Sequence, residues 1–585
     1  MIALAFVLLC QVAQVQEQEP NDTRETAHQE VAPGGALAGT LPDGDHDWVW
    51  IACEADTVCS LVLEIGADET ASFEVACPEG VFSVRTNDRP VRALRLRFPK
   101  GRTPVHVMGA AKQYVLRVTP VTPGPHEEVE PNDRDEDAIE IRLGETWRGW
   151  HSGANGELDF YRLRVTAPGP CELVVKRDRQ LESPVRAVLR VYPQGAASIP
   201  YSYGIEPVAD EFHFYPVLTA GTWILQFQLF GDTGTDRAYD FAMLPFLAKV
   251  TAEERAAGAA AVERATRWLL QLPESRPPAD NVIAAESMVL AALAEGRGSR
   301  ERREQLERDY VAWLAPHFTK LDGGPWRGHD VFSCTTNIYT HAMATLGLAE
   351  AAANGSEQAR TWATRGVEFL LATQNTLQKP AQWKGPVPKQ AQGYGGWRYV
   401  PDDPMADLSI VGWCLVALTA ADAAGIRVDG MREAAAATFV FVDKVSNENG
   451  FGYNDAGSRA NVHNSIGALL ELLYDERSKG FAFAASELDA HLWAATQVDT
   501  ADQYPFYYLY YGTRAQYLRQ GDAWQNWRAV ALRQLLRRQQ ADGSWAAIEG
   551  EQQPGPRWVT ALGLMALRLC LDEPPRYLQL EVKGF

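Results

Sequence analysis

Two hydrophobic periods divide the chain. Up to about residue 246, apolar and polar residues alternate in short runs such as Ala93-Leu-Arg-Leu-Arg-Phe98, Tyr114-Val-Leu-Arg-Val118, Trp223-Ile-Leu-Gln-Phe-Gln-Leu229 and Tyr239-Asp-Phe-Ala-Met243. Period-two runs separated by turn formers predict small antiparallel sandwiches. At Thr251-Ala-Glu-Glu254, a capping-box pattern, the period lengthens to that of a helix and stays so to about Leu571. Twelve helices in six hairpins are expected. The first of each pair falls near 253–272, 301–316, 357–374, 429–446, 482–496 and 522–540. The second falls near 281–295, 335–353, 406–424, 460–475, 504–519 and 557–571. The second helices are the more apolar, as in Ile338 to Leu348, Ile410 to Leu418 and Val559 to Leu569. Helices buried on most sides read this way, so a barrel of inner helices inside a ring of outer ones is predicted.

The alternating half is internally repeated. Glu19-Pro-Asn-Asp22 recurs 111 residues later as Glu130-Pro-Asn-Asp133, and Asp45-His-Asp47-Trp48-Val-Trp50 is matched by Glu157-Leu-Asp159-Phe160-Tyr161. Two motifs that hold one offset to within a residue indicate a duplicated module. The motif set resembles the bacterial pre-peptidase C-terminal domain, a β-sandwich accessory module of exported proteins, over 17–120 and 128–246. Asn and Asp after Pro are expected to cap a turn. Asp45 and Asp47 offer calcium ligation as the alternative, and no other metal is expected.

Three helical hairpins share a sharper signature. Leu535-Leu-Arg-Arg-Gln539 is followed by Gly543-Ser-Trp545, Phe369-Leu-Leu-Ala-Thr-Gln374 by Gly395-Gly396-Trp397, and Gly323-Gly-Pro-Trp326 is a partial third copy. This Gln–Gly–Trp spacing resembles the QW repeats of squalene–hopene cyclases. Tyr339-Thr-His341-Ala-Met-Ala-Thr345 and Gly395-Gly-Trp-Arg-Tyr399, with Asp407-Leu-Ser409-Ile-Val-Gly412-Trp413, resemble prenyltransferase/squalene-oxidase repeat proteins of exported bacterial type. The resemblance spans about 253–571 and implies an α/α-toroid like those of terpenoid cyclases and protein prenyltransferases. It departs where Leu408 occupies a position expected to be Thr. The expected organisation is a signal peptide over 1–16, sandwiches over 17–120 and 128–246, and an all-α six-hairpin toroid over 251–575.

The family chemistry is weakly represented. A class II cyclase needs a neutral, activated carboxylic acid in an Asp-x-Asp-Asp motif. Here Asp402-Asp403-Pro404-Met-Ala-Asp407 has other spacing, and Asp407 reads as the anionic N-cap of an inner helix. No Asp-x-Cys precedes an inner helix, no Cys-x-x-Cys occurs, and the Cys-Gly-Glu-Gln thioester motif is absent. Asp407, Asp403 and His463 remain the catalytic candidates, and no cofactor is expected. Tyr504, Tyr507, Tyr508 and Tyr511 fall on one helical face that is either a binding surface or core, since tyrosine faces suit sugars, lipids and cations alike. Asn461, His463, Asn464, Asp502 and His341 would add polar groups near inner-helix starts. The insertion 375–394 reads as a lid or as a loop without fixed structure.

Composition narrows the partners. A formal net charge of −20 with no Lys/Arg cluster disfavours phosphate backbones, so no nucleic-acid partner is expected. The apolar run Ile2–Cys10 suits a signal peptide and is too short to span a bilayer. Leu9 stands where a lipidation signal wants a small residue, which favours secretion over lipid anchoring. Export would permit one disulfide among Cys53, Cys59 and Cys77. The expected protein is exported, not integral to the membrane, and binds an apolar, glycan or cell-envelope ligand without cyclase chemistry. The alternative is an enzyme acting on an isoprenoid.

Overall fold

The computed structural model describes residues 14–66, 69–77, 80–84, 91–151, 158–177, 186–205, 211–230, 237–271, 279–295, 308–314, 319–320, 330–333, 335–381, 384–458, 460–492, 504–547 and 555–579. The opening run to residue 13, Gly323 to Trp326, Cys334 and Asp502 lie outside them. Two compact units meet in sequence at Phe246/Leu247. No helix among the described residues is long and apolar enough to cross a membrane.

The first unit is β-rich and built from two like halves. The first half contains β1 (Gln14–Gln16), β2 (Glu30–Val31), β3 (Ala36–Leu41), β4 (His46–Cys53), β5 (Thr57–Ile65), β6 (Thr70–Cys77), β7 (Gly80–Val84), β8 (Val91–Phe98) and β9 (Gly101–Val121). The second contains β10 (Ile139–Ile141), β11 (Thr146–His151), β12 (Leu158–Val165), β13 (Gly169–Arg177), β14 (Arg186–Pro193), β15 (Tyr201–Ile205), β16 (Glu211–Phe214), β17 (Val217–Leu218), β18 (Gly221–Phe230) and β19 (Arg237–Pro245). One layer runs β2-β4-β9-β6-β7 and its counterpart β10-β12-β18-β14-β15. The other layer runs β3-β9-β5-β8 and its counterpart β11-β19-β13-β16. The 21-residue β9 thus does alone what β18 and β19 do together. It changes sheets at Gly109, whose φ is +143° and whose missing Cβ would lie 2.2 Å from the Thr70 carbonyl oxygen. Only glycine fits that crossing. Leu61, Phe73, Val105 and Leu116 are fully buried in the core of the first half, as alternation requires.

The second unit is helical. Its elements are α1 (Ala252–Leu269), α2 (Asp280–Ala294), α3 (308–314), α4 (Ile338–Ala353), α5 (Glu357–Thr373), α6 (Leu408–Ala423), α7 (Met431–Lys444), α8 (Asn461–Tyr474), α9 (Phe481–Ala490), α10 (Pro505–Arg519), α11 (Gly521–Arg538) and α12 (Gly555–Cys570). Each expected helix has its counterpart. α2 packs on α4, α4 on α6, α6 on α8, α8 on α10, α10 on α12 and α12 back on α2. The even-numbered helices therefore close a ring, and nearly every residue of α6 and α12 is buried. The odd-numbered helices pack outside with one buried face, as in α5, where Ala359, Ala363, Val367 and Leu370 point inward.

The two described Gln–Trp copies make matching bonds. The Trp397 indole N–H donates to the Leu370 carbonyl (2.8 Å), and that of Trp545 donates to the Leu535 carbonyl (2.9 Å). Each acceptor lies four residues before its Gln, at the fraying end of an outer helix. The Gln amide reaches across instead: Gln374 donates to the carbonyls of Gly395 (2.7 Å) and Ala434 (2.8 Å), and Gln539 to those of Gly543 (3.0 Å) and Ala261 (2.8 Å). Ala434 and Ala261 belong to the next outer helices, α7 and α1. The indole thus caps the helix and the amide ties hairpin to hairpin.

Candidate functional site at the mouth of the helical ring

Contacts in the ring sort by height. Near the helix starts, Trp413 of α6 meets Tyr339 of α4, Tyr507 and Tyr511 of α10 and Trp558 of α12, with centroids 5.3–6.4 Å apart. Near the helix ends, Arg514 of α10 pairs with Glu295 just after α2 at 2.8 Å. The six inner helices therefore run the same way, and their N-termini gather at one mouth. α6 and α12 face each other across the ring, so the Trp413–Trp558 contact spans its diameter. Trp413 and Tyr511 are fully buried. The axis is filled with aromatic side chains.

Asp407 stands at this mouth as the N-cap of α6. Its Oδ1 accepts the Ile410 N–H (3.0 Å) and the Ser409 hydroxyl (2.5 Å), and its Oδ2 lies 3.6 Å from the Arg398 guanidinium. The sequence suggests an ordinary anionic cap. The cap is present in the structure, and Asp407 is fully buried, so that burial pushes its carboxyl up against the opposing pull of Ser409, Ile410, Arg398 and Tyr453. Arg398 lies over the faces of Tyr399 and Tyr453, 5.5 and 5.4 Å from the ring centroids. The two phenols bond each other at 2.9 Å, and Tyr453 packs beside His463 of α8 at 5.5 Å. Tyr504 packs edge-on to Tyr507, whose hydroxyl donates to the Ser409 carbonyl at 3.4 Å. Tyr399 and Tyr504 are 43% and 44% exposed and form the rim.

The sequence-derived candidates divide accordingly. Asp407, His463, Tyr504, Tyr507 and Tyr511 belong to this one region, and Asn461 begins α8 beside it. Tyr508 does not belong, because it points outward against Trp527 of α11 and donates to the His491 carbonyl at 2.9 Å. His341 is fully buried, with Nδ1 accepting the Phe332 N–H (3.1 Å) and Nε2 facing the Gly366 carbonyl (2.9 Å), so both ring nitrogens are committed within the protein. Asn464 is likewise used, accepting the Phe451 N–H at 2.9 Å. Asp403 caps a turn through the Met405 N–H (2.9 Å), and Asp402 pairs with Lys384 at 3.1 Å. The described residues of the insertion are tied down: Asn375 donates to the Met405 carbonyl (2.7 Å), Gln392 to that of Asn454 (2.9 Å), and Lys444 to that of Lys389 (2.6 Å). Sequence reading missed Trp413, Tyr339, Tyr453 and Arg398 as site residues, although Arg398 and Tyr399 lie inside the quoted Gly395–Tyr399 motif.

The β unit carries two acidic clusters at equivalent positions. Carboxylate oxygens of Glu17, Glu19, Asp45 and Asp47 lie within 4.8 Å of one another, as do those of Glu128, Glu130 and Asp159. In the Glu-Pro-Asn-Asp element the Asn side chains do not cap the turn as expected. The Asn21 and Asn132 N–H groups donate to the Glu19 and Glu130 side chains, and their own amides donate to Glu17 and Glu128. Asp47 lies inside β4, fully buried, with neither carboxylate oxygen accepting a hydrogen bond, and Tyr239 donates to Asp159 at 2.5 Å. Burial, with Glu17 and Asp45 beside it, pushes Asp47 up to about 8. All-oxygen clusters of this kind fit a hard divalent cation. Cys53 and Cys59 are buried free thiols, and the Cys77 side chain lies outside the described residues.

No family model and no curated protein matches the sequence. Among solved structures, the pre-peptidase C-terminal domain of a Bacillus anthracis collagenase is 15% identical, covering 19% of this chain and 99% of its own, with a TM-score of 0.16. A family 76 glycoside hydrolase from a bovine Bacteroides thetaiotaomicron strain is 10% identical over 70% of this chain and 98% of its own, with a TM-score of 0.37. A family 76 α-mannanase from Bacteroides thetaiotaomicron is 10% identical over 55% of this chain and 96% of its own, with a TM-score of 0.39. At these scores the likenesses are partial and assign no activity.

Proposed function

We propose that this is an exported carbohydrate-binding protein whose helical ring, a toroid of the terpenoid cyclase/prenyltransferase type, takes its ligand at the N-terminal mouth. The observation that carries the reading is the half-exposed Tyr399 and Tyr504 above the pair of half-buried Arg398 and buried Asp407, on an axis closed by aromatic side chains. Tyrosine offers an apolar face for a sugar ring and a hydroxyl for its hydrogen bonds. An isoprenoid would need a deep apolar cavity. The filled axis speaks against that alternative, whether cyclase or prenyltransferase, and Asp402 and Asp403 are engaged elsewhere. Titration calorimetry against neutral oligosaccharides tests the reading. Losing both rim rings, Tyr399→Ala with Tyr504→Ala, should weaken binding at least about tenfold, since each aromatic contact is worth about 1 kcal/mol. Unchanged affinity in a folded double variant would remove the mouth from the function.

The acidic clusters support a second role, calcium binding by the β modules. Several carboxylates crowded at Asp47 and at Asp159 repel one another, and a cation would relieve that repulsion. Saturating calcium at about 100 times its Kd should stabilise each β module by about 2.7 kcal/mol per occupied site. Asp47→Asn should abolish the share of that gain owed to the first cluster. Affinity should fall as pH drops below about 8, because the proton held by Asp47 competes with the ion. A melting temperature indifferent to calcium refutes this role.

A further inference from the structure

We infer that the ring is a shallow, closed-bottomed dish that reads one uncharged sugar at the end of a glycan and does not thread a chain. The inference rests on the carbohydrate reading above and adds to it the position and charge of the recognised unit.

Closure is visible at two levels. At the level of Trp413, side chains from opposite sides of the ring touch, Trp413 against Trp558 at 5.9 Å. At the far end, Arg514 donates to Glu295 (2.8 Å) and to the Tyr577 hydroxyl (2.7 Å). Tyr577 and Leu578, beyond the last helix, are both buried there. A polymer cannot pass through such a ring. The part open to solvent is thin: Tyr504 is exposed at the rim, whereas Tyr507, three residues further along α10, is 6% exposed. Three residues of helix rise about 4.5 Å, the thickness of a sugar ring and not of a folded-in chain.

Charge sets the class. Among the described residues, Arg398 is a cation at the mouth beside the rim residue Tyr399, held by Asp407 and covered by Tyr399 and Tyr453. The pair is neutral taken together, and the whole chain carries −20. A uronate or sulfated sugar would find a compensated cation and a repelling field. The Tyr399–Tyr453 hydroxyl pair can both donate and accept, which is what a neutral sugar hydroxyl needs.

The test uses the full-length protein on a printed panel of neutral and uronic-acid oligosaccharides. Each is presented once with its non-reducing terminal sugar free and once with that sugar extended by a different one. Binding should follow the terminal neutral sugar, drop at least tenfold on extension, and be competed by the free monosaccharide. Binding that grows with the number of internal repeats, survives extension and resists the monosaccharide overturns the end-on dish while leaving carbohydrate binding intact. Preference for uronates overturns the charge argument. A folded protein that binds no glycan on the panel overturns both this inference and the reading beneath it.

Discussion

Replacing Trp545 by alanine tests the role of the Gln–Trp ties. The Trp545 indole is fully buried, its ring packs on Gly563 of α12, and its N–H caps the Leu535 carbonyl at 2.9 Å. Truncating a buried tryptophan costs about 3–5 kcal/mol. The uncapped carbonyl at the helix end adds about 1 kcal/mol where water does not replace the bond. A loss of about 4 kcal/mol at about 2–4 °C per kcal/mol lowers the melting temperature of the helical unit by roughly 10 °C. Trp545→Phe keeps most of the buried ring and loses the N–H, so it should cost about 1 kcal/mol, a few degrees at most. Far-UV circular dichroism at a helix-sensitive wavelength follows the helical unit through its own transition. Glycan affinity measured well below that transition should be unchanged in both variants. A stable alanine variant that has lost only ligand binding would place Trp545 in the site and refute the structural role.

Two further outcomes follow from buried charge. Burial pushes His463 down to about 4 from an ordinary 6.5, so the folded protein keeps the ring neutral while the unfolded chain protonates it. Stability should therefore fall as pH drops from about 6.5 to about 4, by at most about 3 kcal/mol and less for a ring with partial solvent contact. Urea titrations of the wild type and His463→Gln across that window should differ in slope, and equal slopes would show the ring already pays no such penalty. Arg514→Met strands the buried Glu295 carboxylate and should cost about 3–5 kcal/mol, much of it recovered by Arg514→Met with Glu295→Met. No recovery in the double variant would mean that the pair is not the source of the loss.

The helices were legible because burial and period agree along them. In α6 nearly every residue is inside, so the sequence is apolar throughout, and Asp407 announces its start by accepting the Ile410 N–H. The two β halves were legible because Asp47 and Asp159 occupy the same place in the same strand order. The mouth was less legible because its parts come from separate loops. Arg398 and Tyr399 precede α6, Tyr453 precedes α8, and no period links them. Adjacent Tyr507 and Tyr508 differ by about 100° around the helix, so one face cannot hold both squarely. Which turned inward was decided by neighbours: Trp413 lies inside and Trp527 outside. His341 looked like a free polar group at a helix start because its partners, Phe332 and Gly366, lie on other elements.

The place where the repeat is interrupted bears on where the proposed site lies. Gln539 and Trp545 are six positions apart, whereas Gln374 and Trp397 are twenty-three apart, yet both pairs make the same ties. The insertion 375–394 therefore loops out without disturbing the ring. Its own bonds go to the segments that carry the mouth: Asn375 holds the Met405 carbonyl, two residues before Asp407, and Gln392 holds that of Asn454, next to Tyr453. Lys379, buried and pushed down to about 8, donates to the Asp403 carbonyl at 3.5 Å. An ammonium kept in so dry a place is costly, and a loop needed only as a connection would not keep one. Regular hairpins need only the helix-end ties, and the hairpin that departs from them is the one whose extra residues fix Arg398, Tyr399, Asp407 and Tyr453 relative to one another. Local departures from an otherwise consistent pattern are where function is expected to reside. On that logic Lys379→Met should leave the ring folded and shift the geometry of the mouth. Glycan affinity should fall in the folded variant at temperatures well below its melting transition, and a variant with wild-type affinity would confine the insertion to a connecting role.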